Sequence, residues 1–298
     1  MPGTRAVALP TKPPIYQRQR FLLELLRNLD SKVTATDLQK VVFLYFMNTN
    51  PNDPHYEFVP YKFGPYSFQL AQDVEVLCKC GYIHSDNTPT TTDLPCCGIQ
   101  IDTSAIELMR GESLIRKTYK TYPYYAIKSK IIETKLDTDA QDAVHTFSKE
   151  LENETQLLLS IGYEGKKFES FISILLLNGI KLLCDVRRNP ISRKFGFSIE
   201  TLQHALNNVD IQYKHIPELG IESEKRQLLD TQDDYDRLFN EYRSSLPQRQ
   251  DALNYVHSLF ARSHRIALMC YEQDPLCCHR TIIKDYLIDK HGLNSKDL

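Results

Sequence analysis

The chain has 298 residues, a hydrophobic content of 42% and a formal net charge of −2. That length suits two domains of ordinary size, and that apolar share is ample for real cores. The near-neutral balance excludes a global positive field, although the 36 Lys and Arg residues leave room for a local basic patch, and no apolar run approaches the ~20 residues of a membrane helix.

Met1 to Pro14 lacks the apolar stretch of a signal peptide and reads as a short, Pro-bearing disordered lead. A cytoplasmic location and no membrane partner are therefore expected. In that setting the eight cysteines read as free thiols, metal ligands or catalytic groups rather than disulfides. Cys78, Cys80, Cys96 and Cys97 form a loose quartet without C-x-x-C spacing, so half-buried thiols are expected there rather than a metal.

The first domain is expected over residues 15–105. Phe21, Leu22, Leu25, Leu26 and Leu29 form a helical stripe. Leu38, Val41, Val42 and Tyr45 mark a second helix over 36–46. Aromatic alternation from Tyr56 to Tyr66, bounded by Gly64 and Pro65, predicts a short extended segment and a turn. Ser67 is placed to cap a third helix bearing Leu70, Val74 and Leu77, with Gly81 at its stop. Tyr82 and Ile83 begin another extended piece, and the polar run from Ser85 to Asp93 reads as a hairpin tip. This order is that of a winged helix. The stretch Phe58-Val-Pro-Tyr-Lys-Phe-Gly-Pro-Tyr-Ser67, followed by a helix and Gly-Tyr-Ile, resembles the SocA-like (Panacea) domain of antitoxins and phage-linked proteins. The resemblance covers about 18–101 and implies a mainly helical, winged-helix-like module that contacts DNA or a protein partner.

Residues 106–155 read as a helical linker. Lys117 to Lys130 interleaves lysines with Tyr119, Tyr122, Tyr124 and Tyr125. Such interleaving suits base stacking, but the spacing of Tyr119 and Tyr122 favours a packed helix face.

Residues 156–298 read as an α/β domain. Gln156 to Tyr163, Ile180 to Val186, Ile211 to Ile216 and Arg265 to Tyr271 are apolar runs of strand length. Helical patterns follow each: Phe168 to Leu176, a segment capped by Ser198, a stretch over 233–262 broken at Pro247, and His279 to Lys290. Strict alternation predicts a parallel sheet of about four strands flanked by helices, joined by right-handed crossovers.

Ligands of parallel sheets bind outside the carboxyl ends of the strands. Every predicted strand end here carries ionisable groups, so one shared polar pocket is expected. Tyr163 follows the first strand. Asp185, Arg188, Arg193 and Phe195 follow the second, His215 and Glu218 the third, and Cys270, Glu272, His279 and Arg280 the fourth. Four segments also resemble the signatures of the domain of unknown function 488: Ile161-Gly-Tyr-Glu-Gly165; Asp185-Val-Arg-Arg-Asn-Pro-Ile-Ser-Arg193 with Phe195-Gly-Phe-Ser198; His215-Ile-Pro-Glu-Leu-Gly220; and Cys270-Tyr-Glu-Gln-Asp-Pro-Leu-Cys-Cys-His-Arg280. They occur in order across the whole of 156–292. Membership implies the fold and leaves the chemistry open.

Arg188, Arg193 and Arg280 suit an anionic, phosphate-bearing substrate, unless each pairs with Asp185, Glu218 or Glu272 as a structural clamp. Those carboxylates are candidates for acid–base work or for stabilising an oxocarbenium-like centre. Tyr163 and Phe195 or Phe197 are candidates to stack on a base or sugar, with His215 beside them. Cys270 is an inert buried thiol, or a nucleophile if His279 and Arg280 lower its pKa. A phosphatase loop is excluded, because Leu276 stands where the arginine of that loop is needed after Cys270. There is no P-loop and no G-x-G-x-x-G. Metal ligation by Cys270, Cys277, Cys278 and His279 would explain the thiols but not the arginines, so neither a metal nor a cofactor is expected.

The resulting expectation is an enzyme acting on a nucleotide or nucleic-acid substrate, with N-glycosidic hydrolysis of the DNA-glycosylase type and a setting in phage defence. The alternative is a nucleotide-sensing regulator that binds DNA or protein without catalysis.

Overall fold

The computed structural model describes residues 14–29, 32–50, 52, 54–88, 98–152, 154–222, 225 and 231–298. Residues 1–13, most of the expected hairpin tip, Cys96 and Cys97 lie outside the described residues. The chain divides into two compact units, 1–148 and 149–298. Among the described residues, no helix is long and apolar enough to cross a membrane.

In the first unit, α1 (Gln17–Arg27) and α2 (Ala35–Thr49) bury Phe21, Leu22, Leu25, Leu26, Leu38, Val41 and Val42 in one core. The stripes read from spacing are thus the faces that pack. The aromatic segment forms an antiparallel hairpin, β1 (Val59–Tyr61) and β2 (Gly64–Tyr66). Gly64, at φ +100°, makes its turn, and a Cβ there would lie 2.5 Å from the Tyr119 ring. α3 (Phe68–Lys79) starts at Ser67, whose hydroxyl accepts from the Leu70 N–H, and Gly81 follows its end with positive φ. The hairpin therefore stands between α2 and α3. A winged helix needs its wing after the third helix, and residues 89–97 of that stretch lie outside those described.

The expected linker, 106–155, does not stand apart. Residues up to 148 cluster with the first unit. α4 (Gly111–Thr121) buries Leu114 in the α1–α2 core, Tyr122 and Tyr125 pack edge-on against Phe43, and Tyr119 is fully buried with its hydroxyl on Ser129. These tyrosines are core cover. Two further helices follow, α5 (Ile132–Lys135) and α6 (Thr138–Leu151). An apolar hollow of about 320 Å³, lined by Leu38, Lys40, Tyr61, Phe63, Tyr66 and Leu70, also lies in this unit.

The second unit is a parallel α/β domain. Its elements are β3 (Leu157–Gly162), α7 (Phe168–Leu177), β4 (Leu182–Asp185), α8 (Ile199–Asn207), β5 (Gln212–His215), α9 (Gln232–Ser245), α10 (Gln250–Ser263), β6 (Arg265–Cys270), α11 (His279–His291) and β7 (Ser295–Asp297). Pro247 falls in the short 3-10 turn between α9 and α10, as its fixed φ and missing N–H require. Ser198 stands at the N-cap of α8, but its hydroxyl exchanges hydrogen bonds with the Ser192 backbone instead of capping the helix.

The sheet order is β5-β4-β6-β3-β7, every pair parallel. The expected parallel sheet of about four strands is present, with one further short strand, β7, at its edge. Ser295–Asp297 is polar and exposed, so it carries no hydrophobic signal. Asp297 fixes it, pairing with Lys284 at 2.5 Å and accepting from Ser160 at 2.5 Å. One sheet face, carrying Leu158, Leu182, Cys184, Leu268 and Cys270, is covered by α9, α10 and α11. Side chains alternate along each strand, so Leu159, Leu183, Asp185 and Met269 are buried on the other face.

Candidate functional site at the strand ends

The chain leaves β4 toward β5 and leaves β6 toward β7, on opposite sides. This divergence opens the crevice of a doubly wound sheet between the carboxyl ends of β4 and β6. The expected edge is thus real. It holds two buried clusters, however, on opposite faces of the sheet. Asp185 is in register with Met269, so Asp185 and the next residue, Cys270, project to opposite sides.

The first cluster is built on Asp185, which is fully buried. Arg187, only 4% exposed, grips it with Nε at 2.8 Å and Nη2 at 2.6 Å. The Tyr213 hydroxyl donates to the same carboxylate at 2.6 Å, and the Arg187 backbone N–H adds a further bond. Arg187 Nη1 donates onward to the Tyr163 hydroxyl and the Phe197 carbonyl, both at 3.0 Å. Burial raises the pKa of Tyr213, and the neighbouring Asp185 charge raises it further. Burial works against the Arg187 cation, but hydrogen bonding and the charge of Asp185 outweigh it and hold the guanidinium ionised. A carboxylate so engaged is a structural anchor. It has no open lone pair with which to take a substrate proton.

The proposed stacking residues are also engaged. Tyr163 lies flat on Phe197 at 4.3 Å with 11° between the planes, so the two rings cover one another. Phe195 packs edge-on against Phe168. His215 Nε2 donates to the Arg187 carbonyl at 2.8 Å. Arg280, fully buried, reaches the carbonyls of Glu272 and Gln273 and the Ser160 hydroxyl, fastening the loop after β6. Arg193 is exposed on the loop after β4. The three expected anion-binding arginines are therefore not assembled.

The second cluster is built on Cys270. Its thiol donates to Glu272 Oε2 at 3.2 Å, and the Cys278 thiol donates to the same oxygen at 2.9 Å. His279 Nδ1 lies 3.8 Å from one sulfur and 4.0 Å from the other. Its Nε2 faces the Val186 carbonyl at 3.1 Å, an acceptor only, so Nε2 carries the proton and Nδ1 presents a lone pair to the sulfurs. Burial pushes the Cys278 thiol well up. Burial alone would also raise Glu272, but the S–H groups of Cys278 and Cys270 hold it below its ordinary value. Cys277, a candidate only in the disfavoured metal reading, turns away and contacts Asp274.

Beside these clusters lies an open hollow of about 430 Å³. It is lined by Arg188 after β4, Glu218 after β5, and Gln248, Arg249 and Asp251 at the α9–α10 junction. Arg249 lies over the Tyr242 ring at 5.2 Å and donates to the Glu218 carbonyl. Tyr242 in turn meets the His279 ring edge-on at 5.5 Å. Of the expected residues, the structure brings Arg188 and Glu218 into this hollow, and Cys270, Glu272 and His279 into the thiol cluster. Arg249 and Asp251 were missed because they belong to a helix break far from any strand end in sequence. Tyr213 was missed although its inward parity on β5 was readable.

Residues 167–287, within the parallel α/β unit, match the family model described as Domain of unknown function DUF488. No curated protein and no solved structure matches the chain. The match covers three of the four motifs, all but Ile161-Gly-Tyr-Glu-Gly165, and supports the resemblance drawn for the second unit.

Proposed function

We propose that the second unit is an enzyme acting on a phosphate-bearing nucleotide or nucleic-acid substrate in the strand-end hollow. The observation that carries this reading is the convergence of two guanidinium groups, Arg188 and Arg249, and two carboxylates, Glu218 and Asp251, on one open hollow of about 430 Å³. That volume suits a small ligand, and arginines are the usual partners of phosphate. Paired carboxylates are the machinery of glycosidic hydrolysis. In the proposed reaction one carboxylate takes a proton from water, whose oxygen bonds to the sugar carbon. The C–N bond breaks, and the leaving base carries away its electron pair and gains a proton.

Incubating the full chain with nucleotides and with single- and double-stranded DNA, and assaying free base by mass spectrometry, tests this. Glu218→Gln and Asp251→Asn are each expected to lower kcat by ~10²- to 10⁴-fold without unfolding the protein. Arg188→Ala is expected to lower kcat/KM by about 10- to 100-fold. Base release that neither carboxylate variant changes sinks the assignment. One observation favours the alternative, a sensor without chemistry: the buried acid nearest the crevice, Asp185, is fully engaged by Arg187 and Tyr213. Recovery of intact nucleotide with no free base from any substrate would point that way.

The resemblance of the first unit to SocA-like (Panacea) domains supports a recruiting role toward DNA or a protein partner, with phage defence as the setting. Retention of the chain on DNA at low salt, against a stoichiometric protein partner in a pull-down, separates these two.

A further inference from the structure

The thiol cluster gathers the donor types of a metal site in one buried place. Two sulfurs, one carboxylate oxygen and one imidazole lone pair converge from three separate places: the end of β6, the loop that follows it and the start of α11. The donor atoms of Cys270, Cys278 and His279 all lie within 4.8 Å of one another. All three residues are buried, at 0%, 2% and 3% exposure. Buried atoms of this kind are ordinarily paired with donors or with a metal.

We infer that Cys270, Cys278 and His279 form a site for one thiophilic divalent cation of the zinc class, closed by Glu272, whose carboxylate lies against both sulfurs and turns toward the ion on binding. Zinc bonds of 2.0–2.3 Å in a tetrahedron set ligand–ligand edges of about 3.3–3.8 Å. The sulfur–nitrogen separations, 3.8 and 4.0 Å, lie at and just above the top of this range. The sulfur–oxygen separations, 3.2 and 2.9 Å, need only a small expansion as the thiol protons leave. The histidine is oriented as a ligand should be. Its far nitrogen is held by the Val186 carbonyl, which fixes the tautomer and aims Nδ1 inward.

Local geometry explains how neighbours in sequence both reach one ion. Cys278 is the N-cap of α11, with extended backbone at φ −137°, whereas His279 begins the helix. The change in backbone direction swings both side chains to the same point. Binding displaces two protons: the ion forms two sulfur bonds as the thiols become thiolates, with no change in oxidation state. The loaded site carries one net negative charge, which the N-terminal dipole of α11 favours. With four protein ligands and no open position, the site braces the strand-end crevice rather than reacting in it. The ion fastens α11 to β6, and the His279–Val186 hydrogen bond extends the brace to β4.

The full chain, stripped of metal and then titrated with Zn²⁺, should bind one ion per chain and release two protons. Zinc should protect two thiols from alkylation, mapped by mass spectrometry to Cys270 and Cys278. Co²⁺ should give thiolate charge-transfer absorption and the intense d–d bands of a tetrahedral centre. Cys278→Ser is expected to weaken zinc binding by about 100-fold or more, and Glu272→Gln by roughly 10-fold or more. If a serine variant fails to fold, the protection map and the cobalt spectrum of the unaltered chain decide alone. Zinc binding that leaves Cys270 and Cys278 reactive overturns the inference. So does the absence of binding, or a Cys270–Cys278 disulfide in the purified reduced-buffer protein. None of these readouts depends on base release, so the outcome is separate from that of the proposed reaction.

Discussion

At the residue scale, Asp185 shows how one side chain is decided by its neighbours. It stands at the end of an apolar strand, where a catalytic acid is expected, yet Arg187 and Tyr213 close it off. Removing one partner of a buried ion pair leaves a charge without compensation, which costs about 3–5 kcal/mol. Arg187→Met is therefore expected to destabilise the second unit by that amount in urea unfolding. Tyr213→Phe, which removes one bond to a charged group, should cost about 1.5–3 kcal/mol. If Arg187→Met unfolded at the same midpoint as the parent chain, the anchor assignment would fail. Arg280 follows the same logic. It resembles a phosphate ligand at a helix N-terminus, but its guanidinium is taken by the carbonyls of Glu272 and Gln273.

At the element scale, the edge depends on close backbone approach. A Cβ on Gly162, the last residue of β3, would lie 1.8 Å from the Glu272 carbonyl oxygen. Nothing flexible stands there to yield, because the obstacle is backbone. Gly162→Ala should therefore push the β6–α11 loop away from β3 and loosen Arg280, whose partners are the carbonyls of that loop. The expected result is a loss of about 1–3 kcal/mol in stability, with faster amide exchange at 271–280. Unchanged protection over that loop would count against the contact. β7 makes a related point. It is held by side chains from elsewhere, Lys284 and Ser160, and by the Leu298 N–H on the Ser160 carbonyl, rather than by any pattern of its own.

At the scale of the whole molecule, two units with separate cores should unfold in two transitions that respond differently to pH. Lys40 is buried in the first unit, donates to the Phe63 carbonyl at 2.6 Å, and has its pKa lowered by burial from 10.5 to about 8. Between those values the unfolded chain holds more protons than the folded one, so stability rises with pH across this window. Below pH 8 the full cost of burying the charge is present, on the order of 3 kcal/mol. Above about pH 10 the trend reverses, because burial pushes the Tyr119 hydroxyl up to about 12 and the folded state resists its ionisation. Thermal or urea unfolding from pH 7 to 10 should show the first-unit transition rising with pH while the second-unit transition falls above about pH 9, where burial keeps the Cys184 and Cys278 thiols protonated, and Lys40→Met should remove the rise. An identical slope in that variant would assign the effect elsewhere.

Much of this protein is legible in the chain read alone. Strand–helix alternation after Gln156 implies the parallel sheet, because buried parallel strands are apolar throughout and each needs a crossover helix. The stripes of α1 and α2 and the capping of α3 by Ser67 were equally legible, since they depend on residues within one or two turns. The polar strand ends that carry the candidate clusters were readable too, and with them Glu218, Arg188, Cys270, Glu272 and His279. Which of these meet depends on packing between distant parts of the chain. Period-two alternation gives each strand two faces, but the register of β4 against β6, set across some eighty residues, sends Asp185 and Cys270 to opposite sides. Arg249 and Asp251 join the hollow through a helix junction whose position follows from packing, and the polar edge strand β7 is recruited by the Lys284–Asp297 ion pair and the Ser160 hydroxyl. These are properties of neighbours far apart in sequence, and no local pattern encodes them.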